Sequence, residues 1–99
     1  MKATKQKEAA RIKYYRVPLS EFPQKRAIKI EIAKRIAAYI RDTGTTQTEV
    51  AVKHNIDQGV MSRICNANLD GFTVDRLMGV AETIGVVVDV NFTDSSDSK

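Results

Sequence analysis

The sequence predicts a mainly α-helical fold that ends in one β-strand, and three observations carry that prediction. Ile28, Ile32, Ile36 and Ile40 recur every four residues, the spacing of an amphipathic helix. Residues 46–66 write two helices of about two turns each around a very tight corner. After Gly85 the apolar period changes to alternation, as in a strand with one apolar side. A length of 99 residues suits one domain, and 42% hydrophobic with 28% charged residues is a globular composition.

Taken in order, residues 1–24 are a basic N-terminal arm with both prolines, Pro18 and Pro23, and six Lys/Arg ahead of Pro18. Its RIKYYRV stretch is open to three readings. Ile12, Tyr14 and Arg16 alternate with Lys13, Tyr15 and Val17 as in a short strand, but a helical turn or an arm that orders on binding fits equally. A helix is expected from Gln24 to Asp42, with Ala33 and Tyr39 widening the isoleucine stripe. Thr43-Gly44 ends it, because glycine readily takes the left-handed C-cap conformation.

Thr46-Gln47-Thr48-Glu49 is a capping box, in which the Thr46 hydroxyl accepts from the Glu49 N–H and the Glu49 carboxylate accepts from the Thr46 N–H. The helix it opens should run from Gln47 to about His54. Asn55 is next best after glycine at a left-handed corner, and Asp57 caps a further helix from Gln58 to about Asn66. Asn-Ala-Asn and then Asp70-Gly71 read as a loop. Thr73 caps a fourth helix with the apolar face Val74, Leu77, Met78, Ala81 and Ile84, closed by Gly85. In residues 86–92, Val86, Val88, Val90 and Phe92 share one strand face against Val87, Asp89 and Asn91. Residues 93–99, TDSSDSK, are a polar tail expected to be disordered.

The net charge of +4 is unevenly spread. Residues 1–43 hold twelve Lys/Arg and four Asp/Glu, giving +8, while residues 44–99 hold four and eight, giving −4. A basic half points to an anionic partner, nucleic acid first, and otherwise to a plain solvated arm. No stretch approaches the ~20 apolar residues that span a bilayer, and MKATKQKEAARIKYY lacks the apolar core of a secretory signal. Cys65 is the only cysteine, so no internal disulfide can form and a reducing cytoplasm fits best.

Two short helices joined by a tight turn form a helix-turn-helix, whose second helix can enter the DNA major groove. That geometry needs a small residue where the helices cross, supplied by Ala51, and a corner residue tolerant of positive φ, supplied by Asn55. Val50, Ile56, Met61 and Ile64 would form the inward wedge. An ordinary helical hairpin in a bundle is the plainer alternative. QTEVAVKHNIDQGVMSRICN, followed by FTVDRLMGVAETIG, resembles the lambda-repressor/Cro-like (XRE) helix-turn-helix family over about residues 26–85. TQTEVA, SRI, LDGFTVDRL and IGVVVDV are similar to a subgroup of short XRE regulators that includes HigA-type antitoxins. The chain departs from the pattern at Asn55, usually glycine, and at His54, usually apolar. Gly59, early in the second helix, lowers helix stability by up to ~1 kcal/mol.

The resemblance implies a lambda-repressor-like bundle of four main helices over residues 25–85. It also implies a DNA-binding set of Thr46, Gln47, Thr48, Asp57, Gln58, Gly59, Ser62, Arg63 and Asn66. Gln47 matches a glutamine that binds a phosphate or braces the recognition helix, and is also a good helix former at its position. Gln58 matches the glutamine opening the recognition helix, where an amide can pair with adenine N6 and N7. Gly59 would let the backbone approach the groove. Ser62 and Arg63 are expected to point outward, Arg63 toward guanine or a phosphate, with phosphate favoured because such contacts are commoner. Asn66 matches a phosphate contact and equally suits a C-cap.

His54 is the only histidine, so neither a zinc site with Cys65 nor Cys–His catalysis is expected, and no phosphate-binding glycine loop is present. Enzyme activity, metals and cofactors are therefore not expected. An unpaired strand leaves its backbone groups unsatisfied, so Val86, Val88, Val90 and Phe92 should pair with a second copy or with RIKYYRV. A two-fold dimer would set two recognition helices about one DNA turn apart on double-stranded DNA. The expected function is sequence-specific transcriptional regulation, most simply repression. The rival is an antitoxin that binds a cognate toxin, with the N-terminal 25 residues as its toxin-binding part. RNA binding would need aromatic platforms, and Tyr14-Tyr15 is the only adjacent aromatic pair.

Overall fold

A computed structural model describes residues 15–89 of the chain. Four helices fold around one core: α1 (Pro23–Asp42), α2 (Gln47–Lys53), α3 (Gln58–Cys65) and α4 (Val74–Ile84). α1 begins one residue ahead of the expected start because Pro23 fits the first helical position, where its missing N–H has no partner to lose. Its stripe of Ile32, Ala33, Ile36 and Ile40 is buried against α3 and α4. The helix closes at Gly44, φ 74°, while the Thr43 hydroxyl donates to the Ile40 carbonyl at 3.1 Å.

The next three helices each start on the side chain that the sequence nominates. Glu49 N–H donates to Thr46 Oγ1 at 3.1 Å and Thr46 N–H to Glu49 Oε1 at 3.0 Å, a complete capping box. Asp57 Oδ1 accepts from Gly59 N–H at 2.7 Å and from Val60 N–H at 3.3 Å. Thr73 Oγ1 accepts from Arg76 N–H at 3.1 Å.

Three of the helices also share one ending. At the end of α2, Asn55 has φ 56°, Ile56 N–H reaches the Ala51 carbonyl at 2.8 Å and Asn55 N–H reaches Val52 at 3.3 Å. This is the pair of bonds of a Schellman cap. The same pair closes α4 around Gly85 (φ 92°), from Val86 to Ala81 and from Gly85 to Glu82. It closes α3 around Ala67 (φ 67°), from Asn68 to Arg63 and from Ala67 to Ile64. An L-residue with a Cβ pays about 1–2 kcal/mol in that conformation. Ala67 offsets the cost by burying its methyl, with 1% of the residue exposed. Leu69 and Phe72, on either side of the Asp70-Gly71 turn, drop into the core.

The expected C-terminal strand is not formed over its described part. Val86–Asp89 carry no strand pairing, and no strand lies beside them among the described residues to take up their backbone groups. Val90 and Phe92, and the polar tail, lie outside the described residues. The alternation itself is present: Val86 and Val88 are half-buried against the core, and Val87 and Asp89 are exposed.

The described end of RIKYYRV pairs elsewhere. Arg16 forms a single parallel bridge with Asn68, its N–H donating to the Ala67 carbonyl at 2.9 Å and its carbonyl accepting from Leu69 N–H at 3.1 Å. Val17 beside it is buried, so the core takes in chain ahead of α1. Tyr15 is half-buried, and burial first, then the Glu31 charge, raises its phenol pKa above the ordinary value. Between this bridge and α1, Glu21 folds back to pair with the buried Lys29 at 2.5 Å.

Candidate nucleic-acid interface

α2 and α3 meet at a corner built from small and apolar groups. Ala51 is 2% exposed and its carbonyl takes the Ile56 N–H, so the second helix turns directly over it. Val50, Met61 and Ile64 are buried and Ile56 half-buried beneath, the wedge expected from the sequence. The two helix starts are then joined at the surface: Gln58 Nε2 donates to Thr48 Oγ1 at 2.8 Å. The brace between the helices is thus made by Gln58 and Thr48.

The nominated residues keep contact with solvent. Thr46, Thr48, Asp57, Gln58, Gly59, Arg63 and Asn66 are exposed, and Gln47 and Ser62 are half-buried. Asp57 is occupied as the α3 cap. Gly59 has a local reason to be glycine: a Cβ there would stand 3.1 Å from Asp57 Oδ1, crowding that cap. One turn further on, Asn66 Nδ2 donates to Ser62 Oγ at 3.2 Å, and Asn66 N–H to the Ser62 carbonyl at 2.9 Å.

Arg63 is held sideways rather than projecting straight out. Its Nη2 donates to the Asp70 carbonyl, and its guanidinium carbon lies 4.7 Å from the Phe72 ring centroid. Arg76 approaches the same ring at 5.2 Å. The sequence reading missed this stack of two cations on a buried ring. The Phe72–Arg76 separation of four residues was the available signal.

A family profile described as a helix-turn-helix domain matches residues 19–93. The chain belongs to that family. Its XRE-like character, read above from QTEVAVKHNIDQGVMSRICN and FTVDRLMGVAETIG, agrees with the match, and the helix-turn-helix marks a DNA-binding regulator. No curated protein matches the chain, and no solved structure does. Among the described residues of this helix-turn-helix protein, no helix is long and apolar enough to cross a membrane. Among the same residues, His, Cys, Asp and Glu do not gather in threes as metal ligands.

Proposed function

We propose that the protein is a transcriptional repressor that acts in the cytoplasm and binds a pseudo-palindromic operator as a homodimer. The observation that carries this reading is the Gln58 amide, exposed at the first position of α3 and steadied by one N–H on Thr48. An amide has a second N–H and a carbonyl left for a base edge, and adenine N6 and N7 offer the matching pair. In this reading Thr46, Gln47 and Thr48 meet the backbone at the start of α2, and Asp57 sets the α3 start. Gly59 allows close approach, and Ser62 and Asn66 line the last turn. Arg63, fixed on Phe72 and Asp70, clamps a phosphate.

Dimerisation through Val86, Val88, Val90 and Phe92 would set the two α3 helices about one turn (~34 Å) apart. An open groove of about 280 Å³ beside that segment, lined by Met78, Glu82 and Gly85–Val88, supports an apolar partner there. Selection of binding sites from random duplex DNA by the purified full chain tests the reading. A pseudo-palindrome with half-sites one turn apart is expected, and a library that stays random after repeated rounds would sink it.

A second reading, a HigA-type antitoxin that also neutralises a toxin, has one observation in its favour. Leu19 and Phe22, just ahead of α1, are 85% and 74% exposed, an apolar surface suited to a protein partner. It predicts a small basic ribonuclease encoded beside this chain, whose activity the purified protein blocks. A neighbouring nuclease left fully active would remove it.

A further inference from the structure

Arg63 is held at both of its ends by the loop that follows α3. Its backbone carbonyl accepts from Asn68 N–H at 2.9 Å, and its Nη2 donates to the Asp70 carbonyl. Its guanidinium carbon also lies 4.7 Å from the Phe72 ring centroid. Where residues 67–72 lie therefore sets where Arg63, the one cation among the nominated interface residues, presents its charge.

The chain ahead of α1 sets where that loop lies. Ala67 stands at φ 67°, a conformation that a Cβ disfavours, and its carbonyl accepts from Arg16 N–H at 2.9 Å. Two residues on, Leu69 N–H donates to the Arg16 carbonyl at 3.1 Å. Residues 67 and 69 are thus bonded to Arg16, and the alternate residues 68 and 70 are bonded to Arg63. Val17 adds an apolar anchor, 6% exposed. Pro18, Leu19 and Ser20 beyond it are exposed. The Arg16 side chain is exposed as well and makes no ion pair among the described residues, so its backbone makes the attachment.

We infer that Arg16 and Val17 are positioning residues for DNA binding. Their docking on residues 67–69 fixes the end of α3 and seats Arg63 for its phosphate, without themselves touching the duplex. This role rests on the DNA-binding reading above and deepens its assignment of Arg63.

The test compares the full chain with Arg16→Pro, which removes the N–H donated to Ala67, and with Arg16→Gln, which keeps both backbone bonds and removes the charge. Val17→Asp lifts the same segment by a second route, since a lone carboxylate does not stay buried. Where that variant fails to fold, Arg16→Pro still decides. Amide exchange, which needs no DNA, should quicken at Asn68 and Leu69 in Arg16→Pro and stay at the wild-type rate at Val86, whose N–H closes α4. Fluorescence anisotropy should show operator affinity about tenfold weaker, within the range that coupled neighbours carry. The backbone-preserving Arg16→Gln should recover the wild-type value. In an Arg63→Gln background, Arg16→Pro should weaken binding little further, because the group it positions is gone. A fold that is merely weakened would lose the same factor in both backgrounds.

An Arg16→Pro protein that exchanges faster at Asn68 yet binds the operator like wild type overturns the inference and leaves the helix-turn-helix reading intact. A loss in Arg16→Gln as large as in Arg16→Pro overturns it too, because Arg16 would then be meeting a phosphate itself. An undiminished loss in the Arg63→Gln background does the same. A wild-type protein that selects no duplex removes the DNA-binding reading, and the positioning role with it.

Discussion

Asn55 turns the corner between α2 and α3 at φ 56°. Glycine meets no steric cost there and a β-branched residue meets a large one, so two substitutions bracket the site. Asn55→Gly should melt at the wild-type temperature or slightly above it, and Asn55→Val should melt several degrees lower. Equal thermal midpoints for the two variants would mean that the corner is not left-handed in solution. At this scale the sequence was legible wherever a side chain satisfies its own backbone: Thr46, Asp57 and Thr73 cap helices through short local bonds. Ala67 was not legible, since alanine has no side-chain reason to adopt φ 67°, and the burial of its methyl together with the backbone bonds around it in the finished fold holds it there. Arg63 escaped for a similar reason, because Phe72, nine positions on, reaches it only after Leu69 and Phe72 have folded the loop inward.

α1 shows what an element hides. Lys29 falls on the same face as Ile32, Ala33 and Ile36, yet a stripe read by its isoleucines passes over a lysine. In the fold this lysine is 3% exposed, held by Glu21 at 2.5 Å from the chain ahead of the helix. Removing one member of a buried pair strands the other, at a cost of roughly 3–5 kcal/mol, whereas exchanging both for apolar groups is often neutral. Glu21 keeps 25% of its side chain in water, so Glu21→Ala should lose about 3 kcal/mol, the low end of that range. Glu21→Leu combined with Lys29→Met should recover most of it. Urea unfolding of the two variants checks this, and a Glu21→Ala protein as stable as wild type would show that the Lys29 ammonium finds water instead. The C-terminal strand failed differently. Its alternation was readable and reappears in the burial of Val86 and Val88, but a strand is a property of two segments, and sequence periodicity names only one.

Assembly belongs to the whole molecule, and the segment after Gly85 has two faces that separate the possibilities. Val86 and Val88 lean on their own core, while Val87 is 85% exposed. If the face of Val88 and Val90 forms the proposed dimer, Val88→Lys with Val90→Lys should sediment as a monomer and bind one half-site weakly, with some loss of melting temperature from Val88. If the exposed side is the seam, Val87→Lys alone should dissociate the protein and leave its melting curve close to wild type. A dimer that survives both moves the interface to α4 or to the N-terminal arm. In the complex itself, the central claim is that α3 reads bases through Gln58. Its most direct measurement is the affinity of wild-type protein and of Gln58→Ala for the selected operator and for each single base-pair change in one half-site. Wild type should discriminate at one A·T pair by about 1–3 kcal/mol, and Gln58→Ala should lose that discrimination at that pair and keep it elsewhere. Discrimination that stays the same at every position in Gln58→Ala would contradict the account.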